Sequence, residues 1–532
     1  MKNLKIIIAN LLTAAILLVS CQEDDFTEYY SDPATIAETT VEKQYAGFMQ
    51  SNKDDIMPSY SKYFVTGRPT LMIYTQTRGF ENSIGRFTPG DAPVDPIYNR
   101  YYATLFQFRE MERIYDQLTP AEQDEYRIFI ITAKIYLYDY TQKIVDLFGD
   151  IPFTEAGKIS QNEGDYQSSY AAFDSAESIY RLMIDDLKSI AQELNSISLT
   201  TAIKDYFTVQ DFVNGGDIDI WKKYCNSLRI RLLTRASASD EFSSIAQTQI
   251  GEILGNPATY PIVEGNEENI QIESLGEGMG LQADFQGTFV EGDSWNSNVA
   301  SKAMIDHMVE NTDPRLRCIF QPGSEAGENE FLGLDPTMAQ SAQNALINSG
   351  TVSIYNNWTF KNNRNFPGIL ISASDIDFYL SEYYLGSNDA MAKEHYEKGI
   401  SESINFYYSV RDLAINFEDS PEIDDLDPSE IDNYLMEANI SWDAATSNEE
   451  KLALLARQKW LHTNMVEMYE NWAELRRLGL PELEFVPDNS SAQATPPNRF
   501  LYPSVERTFN AENYSAVSED DNLDAKIFWD ID

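Results

Sequence analysis

The stretch that decides the fold is residues 122–148, which read EQDEYRIFIITAKIYLYDYTQKIVDLF. The apolar residues of this stretch recur in steps of three and four, so they form one stripe along a helix. The stripe comprises Tyr126, Phe129, Ile130, Ala133, Tyr136, Leu137, Tyr140, Ile144, Leu147 and Phe148. Thr119 and Pro120 are residues typical of a helix start, and Gly149 and Pro152 prevent continuation beyond the stripe. The pattern therefore predicts a long amphipathic helix that packs against other helices.

The same periodicity predicts further helices along the chain. They cover residues 168–194, 217–237, 297–310, 372–385, 388–409 and 449–478. The pair 372–385 and 388–409, joined by a turn at Gly386, has the length of a tetratricopeptide-type helical hairpin. Alternating strand patterns are few. We therefore expect an all-α fold of tetratricopeptide-like helical hairpins packed against a loop-rich part with few short strands.

The loop-rich part is residues 253–370, which are rich in Gly, Asn and Pro and contain one predicted helix. Long irregular segments inside a compact body are usually functional or mobile. Aromatic rings can stack on the CH faces of sugars, and neighbouring amides can bind the hydroxyl groups; a peptide could use the same groups. Packing anchors that hold long loops are the alternative interpretation. We predict ligand contact for Trp295, Asn296, Tyr355, Trp358 and Phe366.

The N-terminal residues predict export and a lipid anchor. Lys2 and Lys5 precede an apolar run over 6–19, which is too short to span a bilayer but typical of a signal peptide. The run ends in Leu18-Val19-Ser20-Cys21, the pattern of lipoprotein processing; an ordinary signal peptide with a chance cysteine is the alternative. We predict a signal peptide over 1–20, a lipidated flexible tether over 21–35 that begins at Cys21, and a single helical body over 36–532.

Charge and composition exclude some classes of function. The net charge is −46, so the surface repels nucleic acid and anionic lipid, and we expect a membrane association through the lipid anchor alone. Aromatic residues make up 12% of the chain, which is far from the composition of a disordered acidic protein. Cys225 and Cys318 could pair after export, but two buried free thiols fit their apolar or helical surroundings better.

No catalytic motif accompanies these features. The three histidines, His307, His395 and His462, have no metal-ligand spacing, and the sequence lacks H-E-x-x-H, C-x-x-C and G-x-S-x-G motifs. The many carboxylates make accidental acid pairs inevitable, and no EF-hand loop is present, so structural calcium is possible without a motif to support it. We expect a binding protein without cofactor; a surface glycan-processing enzyme or a structural scaffold lipoprotein remains the alternative.

Several segments taken together resemble the SusD/RagB family of outer-membrane nutrient-binding lipoproteins, in particular its SusD-like branch. They are Asp146–Ala156 (DLFGDIPFTEA), Trp221–Leu232 (WKKYCNSLRIRL), Asp313–Leu316 (DPRL), Gln458–Trp460 (QKW), Asn471–Pro481 (NWAELRRLGLP), Arg499–Pro503 (RFLYP), Glu506 and Asn510.

The resemblance implies tetratricopeptide-like helix pairs and exposure at the outer surface of the outer membrane, where the acidic residues 22–25 look like an export signal. It also implies a SusC-like TonB-dependent β-barrel transporter as the partner, and a captured oligosaccharide or, in some members, a peptide as the ligand. Cys21 is the one functional position that the resemblance carries over.

Overall fold

The computed structural model describes residues 39–274, 281–285, 298–414, 424–489 and 493–531. Helices hold 57% of the chain and strands 3%, which confirms the all-α prediction. The α-helices are α1 (Val41–Ser51), α2 (Lys53–Ile56), α3 (Leu71–Tyr74), α4 (Asp91–Asp116), α5 (Pro120–Phe148), α6 (Ala176–Leu194), α7 (Thr201–Gln210), α8 (Ile218–Ala236), α9 (Asp240–Gly255), α10 (Lys302–Glu310), α11 (Leu316–Ile319), α12 (Gln340–Asn348), α13 (Ala373–Tyr384), α14 (Asp389–Asp412), α15 (Pro428–Met436), α16 (Asn448–Thr463), α17 (Met468–Leu478), α18 (Ser504–Phe509) and α19 (Ala511–Tyr514). Two π-helices (Ser61–Gly67 and Asn357–Lys361) and short 3₁₀ turns complete the helical elements.

Helix α5 has both the start signal and the stop signal that the sequence predicted. The Thr119 hydroxyl accepts the Glu122 N–H, and the Glu122 carboxylate accepts the Thr119 N–H at 2.8 Å, which closes a capping box at the start. Gly149 follows Phe148 with a φ of +78°, a conformation that glycine adopts without strain. The predicted boundaries are confirmed to within two residues.

The hairpin of α13 and α14 is confirmed as well, with Gly386 at its turn. Small residues allow its two helices to approach closely. A Cβ atom at Gly399 would lie 2.7 Å from the Phe378 ring, and the Ser374 hydroxyl donates to the Gly399 carbonyl at 2.7 Å. This close packing of small against aromatic residues is the feature that made the pair resemble a tetratricopeptide repeat.

Three predicted helices were wrong at a boundary. The helix predicted over 168–194 begins at Ala176, because Asp174 pairs with Ile151 in a β-bridge. The helix predicted over 297–310 begins at Lys302. The single helix predicted over 449–478 is two helices, α16 and α17, because the buried Asn464 has a φ of +39° and ends the first of them.

Strands within the described residues form two small antiparallel pairs. Strand β1 (Ile270–Ile272) pairs with β4 (Gly368–Ile371), and β2 (Phe320–Gln321) pairs with β3 (Ile354–Tyr355). All four strands lie in the loop-rich part, as predicted.

An ionic network inside the core joins three helices. Arg231 and Arg235 of α8 contact carboxylates of α5 and α17: Arg231 lies 2.6 Å from Asp139, and Arg235 lies 2.7 Å from Glu470. Helices α5, α8 and α17, which carry parts of the Asp146–Ala156, Trp221–Leu232 and Asn471–Pro481 segments, thus meet in the interior, where these charges neutralise one another. Cys225 and Cys318 are both buried with free thiols. Among the described helices, none has the length and apolar composition needed to cross a bilayer.

Candidate functional site

A surface cleft of about 320 Å³ lies beside the turn between α3 and α4. We call it the 68–93 cleft, after the segment that forms most of its wall. Its lining residues are Arg68, Pro69, Thr70, Ile73, Arg78, Gly79, Phe80, Glu81, Ser83, Ile84, Gly85, Arg86, Thr88, Pro89, Gly90, Pro93, Val299 and Ile347. The lining thus combines guanidinium groups, hydroxyl groups, backbone amides and apolar side chains, which is the mixture that a polar organic ligand requires.

The π-helix Ser61–Gly67 leads into this cleft. The Arg68 N–H donates to the carbonyl of Tyr63, five residues earlier, at 2.7 Å. The Thr66 hydroxyl donates to the Pro93 carbonyl at 3.0 Å and so ties the π-helix to the start of α4. A Cβ atom at Gly67 would lie 2.6 Å from the sulfur of Met468, so the glycine lets this turn pack against α17. π-Helical turns occur frequently at functional sites, because they displace side chains from α-helical positions.

Three side chains of this segment stack in a row, which we call the 60–68 ladder: Tyr60, Phe64 and Arg68. The Tyr60 and Phe64 rings are stacked with centroids 4.8 Å apart and an interplanar angle of 16°. The Arg68 guanidinium lies over the Phe64 ring, 4.5 Å from its centroid. Tyr60 is 48% exposed, so it presents aromatic surface to solvent, and the ladder reaches the cleft at its Arg68 end.

Two further arginines are fixed in the cleft wall by carbonyl and carboxylate oxygens. Arg78 donates to the Arg68 carbonyl at 3.1 Å and to the Gly79 carbonyl at 2.8 Å. Burial, and then the positive charge of Arg68, lowers the pKa of Arg78 to about 9. This value is still above neutral pH, so the guanidinium remains charged. Arg86 donates to the Ser83 carbonyl at 3.0 Å and lies 3.6 Å from Asp488. The positions of both guanidinium groups are therefore set before any ligand arrives.

Phe80 supplies an aromatic ring to the cleft lining. Phe80, Phe87 and Phe485 pack as a cluster with ring centroids 5.6–6.4 Å apart. Ile84 projects from the rim with 81% of its surface exposed. A large exposed aliphatic side chain beside a polar cleft is a feature of binding surfaces.

Gly79 holds the opposite wall in place. Its N–H donates to the Val299 carbonyl at 2.9 Å, and a Cβ atom at this position would lie 2.6 Å from the Ala300 carbonyl oxygen. The glycine therefore lets the segment that begins at Asn298 approach the cleft. Val299 follows Trp295 by four residues in the sequence. Trp295 and Asn296, predicted as ligand contacts, lie outside the described residues.

Tyr355 and Phe366, predicted as ligand contacts, lie in the hydrophobic core, with 1% and 0% of their surface exposed. The Tyr355 hydroxyl oxygen lies 2.6 Å from both the Thr77 carbonyl oxygen and the Asn464 side-chain oxygen, and its one proton is shared between these two acceptors. The two rings flank Phe360, with centroids 5.3 and 5.7 Å from it. In this structure both rings act as packing anchors, because no face of either is open to a ligand.

Trp358 is half-buried, and its ring N–H donates to the Arg411 carbonyl at 3.0 Å. It lies on the second π-helix, whose start is capped by the Asn356 side chain. The structure thus ties Trp358 to α14 and leaves part of its ring at the surface. Ligand contact by Trp358 stays a prediction.

Sequence reasoning missed residues 60–93, which supply most of the cleft wall. The local signal was a Gly- and Pro-rich run between two helices, GRPT at 67–70 and GRFTPG at 85–90. Such runs mark loops on the surface, and functional residues are common on loops. The arginines and the aromatic residue in these two runs would have marked the segment as a candidate ligand-binding site.

One group of potential metal ligands occurs within the described residues. Asp375, His462 and Glu467 are all buried, with one ligand atom from each lying within 4.8 Å of the others. The Ser372 hydroxyl contacts both Asp375 at 2.7 Å and His462 at 2.9 Å. Burial, followed by the negative charge of Asp375, raises the pKa of Glu467 well above its usual range. Because its pKa is raised, Glu467 retains its proton beside Asp375, and the two carboxyl groups can approach without a cation between them.

A family model described as "Starch-binding associating with outer membrane", a SusD-like family, matches residues 32–503. The chain belongs to this SusD-like family. The expected resemblance is therefore confirmed, and the fold and the motif segments both fit it. No curated protein matches the chain significantly in sequence.

Solved structures of SusD homologues have the same fold. A chitin-binding SusD homologue from Flavobacterium johnsoniae is 22% identical, with a TM-score of 0.69, and the match covers 92% of this chain and 99% of the homologue. A SusD homologue from Bacteroides fragilis is 19% identical, with a TM-score of 0.70, and the match covers 93% and 99%. A SusD-like protein from Bacteroidetes is 17% identical, with a TM-score of 0.71, covering 93% and 100%. The structural similarity to these proteins establishes the fold. The family places the chain among nutrient-binding proteins that associate with the outer membrane.

Proposed function

We propose that this protein, lipidated at Cys21, captures oligosaccharides at the outer surface of the outer membrane and delivers them to a SusC-like TonB-dependent transporter. The observation that carries the proposal is the 60–68 ladder beside the 68–93 cleft. The exposed face of Tyr60 offers an apolar surface to a sugar ring. The guanidinium groups of Arg78 and Arg86 are already held by backbone oxygens in the cleft wall, where they can donate to the hydroxyl groups of a bound sugar.

An oligosaccharide fits this combination better than an extended peptide does. A sugar needs stacking surfaces and fixed hydrogen-bonding groups, whereas a peptide bound as an added strand needs an unpaired strand edge. The described strands have two to four residues, so they offer little edge for such pairing. The family description names starch, and the Flavobacterium johnsoniae homologue is named for chitin; both support a glycan as the ligand class.

Delivery requires a partner, because binding alone moves nothing across a membrane. The family is described as associating with the outer membrane, which supports a membrane-spanning transporter as that partner. The role is binding rather than catalysis. The buried Asp375 and Glu467 carboxyls are absent from the lining of the 68–93 cleft, where a glycosidase would need a carboxyl pair.

The proposal is tested by measuring the affinity of the purified protein for starch and chitin oligosaccharides by calorimetry. Tyr60→Ala removes the exposed ring of the ladder, and Arg68→Gln removes the cation at its other end. Tyr206→Ala is the matched control, because Tyr206 is a comparably exposed tyrosine (46%) on α7, outside the cleft.

We expect Tyr60→Ala to weaken binding roughly fivefold, as the loss of about 1 kcal/mol of stacking predicts. The Tyr206→Ala control should bind like the unaltered protein. If oligosaccharides bind but neither ladder variant lowers the affinity, the binding site lies elsewhere. If the unaltered protein binds no member of a broad oligosaccharide panel, the glycan assignment fails.

A further inference from the structure

A second cleft, of about 360 Å³, lies on the other side of residues 76–82 from the 68–93 cleft. We call it the Arg457 cleft. It is walled by α10, residues 335–336, α16 and residues 482–484. The Asn82 side chain donates to the Pro336 carbonyl at 2.7 Å and so connects the segment of the 68–93 cleft to a residue that lines the Arg457 cleft.

Arg457 and Lys302 are the cations that line this cleft, and Lys302 is paired with Asp306 at 2.6 Å. The Arg457 guanidinium lies over the Trp460 ring, 5.3 Å from the centroid, and Trp460 is itself fixed by its ring N–H, which donates to the Thr75 carbonyl at 2.7 Å. Within the part of the chain that the structure describes, Arg457 has no hydrogen-bond acceptor and no carboxylate within ion-pair distance. Arg235 and Arg477, by contrast, each bind two or more carboxylates. Four carboxylates line the same cleft (Glu310, Asp335, Glu482 and Glu484), and none of them pairs with Arg457, which is unusual in a chain with 85 acidic residues.

His307 supplies a second donor in the same cleft. The Asn311 side-chain amide faces His307 Nδ1 at 3.5 Å, and the Asn311 oxygen already accepts a hydrogen bond from Asn439 at 3.1 Å. The Asn311 amide nitrogen donates to the His307 carbonyl at 2.7 Å, and we assign the tautomer in which Nδ1 faces the second hydrogen of that nitrogen and the ring proton lies on Nε2. That Nε2 atom is buried and has no hydrogen-bond partner among the described residues.

A buried donor without an acceptor costs free energy, so His307 Nε2 favours an incoming acceptor, and the partly buried Arg457 guanidinium can share that acceptor. Burial, and then the positive charge of Arg457, lowers the pKa of His307 to about 4. At neutral pH His307 is therefore an uncharged N–H donor beside a guanidinium. A single carboxylate can accept two parallel N–H bonds from a guanidinium and leave a lone pair for a third donor.

The rim of the Arg457 cleft limits what can enter. Glu310, Glu482 and Glu484 are exposed carboxylates at its edge, and they repel polyanions such as nucleic acid or a heavily sulfated chain. A ligand with one carboxylate among neutral groups meets less repulsion and gains the two donors inside.

We infer that the Arg457 cleft binds a single carboxylate group of a ligand, with Arg457 as the charged donor and His307 Nε2 as the neutral one. The carboxylate belongs to a sugar acid or to the end of a peptide; the donors recognise what the two share. This inference does not rest on the proposed function, because neither donor lines the 68–93 cleft.

The test is ligand-observed saturation-transfer NMR on the purified protein with three probes: glucuronate, glucose and N-acetylglycine. Glucose matches glucuronate without the carboxylate, and N-acetylglycine carries a carboxylate on a peptide-like group. Arg457→Gln removes the charge, Arg457→Lys keeps it without the planar fork, and His307→Leu removes the second donor. Arg113→Gln is the control, since it removes an arginine from a partly exposed pair with Glu110 on α4.

We expect glucuronate, N-acetylglycine or both to bind, and glucose to bind at least fivefold more weakly. Arg457→Gln should abolish the carboxylate signal, Arg457→Lys and His307→Leu should each weaken it severalfold, and Arg113→Gln should leave it unchanged. Binding of glucuronate alone assigns the cleft to sugar acids, and binding of N-acetylglycine alone assigns it to peptide ends. If neither carboxylate binds the unaltered protein, or if both bind Arg457→Gln as well as they bind the unaltered protein, the inference is wrong. Thermal unfolding of each variant checks that it is folded.

Discussion

Arg235 and Glu474 lie 239 residues apart in the sequence and meet in the core, with the guanidinium Nε 2.8 Å from the carboxylate Oε1. Burial alone would raise the pKa of Glu474, but the adjacent Arg477, Lys459 and Arg235 outweigh it and hold the pKa well below its usual range. The pair joins α8 to α17. The basic residues near Arg231 and the acidic residues near Trp472 therefore pair with each other in the folded core.

Breaking this pair should destabilise the protein strongly. Glu474→Gln leaves buried cations with one carboxylate fewer, and Arg235→Met leaves carboxylates without their cation, so we expect a loss of about 3–5 kcal/mol for each. Urea unfolding followed by circular dichroism measures the loss. Lys302→Gln breaks an exposed pair with Asp306 and should cost less than about 0.5 kcal/mol. A Glu474→Gln variant as stable as Lys302→Gln would contradict the structural role of the network.

His462 should make the protein less stable in mild acid. Burial lowers the pKa of His462 to about 4 and outweighs the negative charge of Asp375, which raises this pKa. The positive charge of Arg315 lowers it further. Glu467 lies in the same cluster. Because the unfolded chain binds the proton near pH 6.5 and the folded chain near 4, the stabilising contribution is complete above pH 6.5. It is lost as the pH falls toward 4, by about 2 kcal/mol at pH 5.

The measurement is the urea midpoint at pH 7.5 and pH 5. His462→Gln should lower stability at pH 7.5, because the imidazole contacts Ser372 and Ser403, but it should reduce the difference between the two pH values. An unchanged difference would show that other groups cause the acid sensitivity. His307→Gln should reduce it in the same direction, since the pKa of His307 is also lowered to about 4.

The parts of the fold that could be predicted are those with strong periodicity and local caps. Helix α5 carries an apolar stripe, a capping box and a glycine stop, and all three signals agree. The break at Asn464 could not be predicted, because it depends on a tertiary contact: the Asn464 side-chain oxygen accepts hydrogen bonds from the Tyr355 hydroxyl and from the Met465 N–H. Local propensity favours one continuous helix there, and packing overrides it.

The candidate site was harder to predict than the fold. An aromatic residue in a polar loop has the same sequence signature whether its ring faces a ligand or the core. Tyr355 and Phe366 lie in the core because Phe320 and Phe285, 35 and 81 residues away in the sequence, pack against them, together with the neighbouring Phe360. The Arg457 cleft depends on a missing partner, and a sequence with 85 acidic residues gives no sign that one arginine lacks an acid.

Lipidation at Cys21 predicts a specific mass. The mature protein purified from native membranes should begin at Cys21 and carry acyl chains there, because Leu18-Val19-Ser20-Cys21 ends the apolar run. Cys21→Ala should give an uncleaved or soluble precursor. Intact-mass spectrometry measures both, with Cys225→Ala as a control that should leave acylation unchanged. A mature N-terminus at residue 21 without acyl chains would contradict the prediction.

A transporter partner predicts that a second protein co-purifies. A tagged protein extracted from its native membrane in mild detergent should bring with it a large β-barrel protein in a fixed ratio. The measurement is size-exclusion chromatography with mass-spectrometric identification of the co-eluting chain. The same pull-down with the Cys21→Ala variant separates association through the protein surface from association through the shared membrane. Recovery of this chain alone would favour a free-standing surface binder.

Gly79 links the cleft wall to the segment after residue 297, so Gly79→Ala tests whether that contact matters for binding. The added Cβ would lie 2.6 Å from the Ala300 carbonyl oxygen and 2.7 Å from the Leu334 Cβ, so the two segments must separate. We expect a stability loss of about 1–3 kcal/mol, as overpacking usually costs, and weaker oligosaccharide binding because the two cleft walls move apart. Gly47→Ala is the matched control: Gly47 lies inside α1, nothing lies within 4 Å of the added Cβ, and the helix should gain about 0.5–1 kcal/mol. Calorimetric affinity and urea unfolding on both variants separate the effects. Gly79→Ala with unchanged affinity would show that the wall at Val299 takes no part in binding the oligosaccharide.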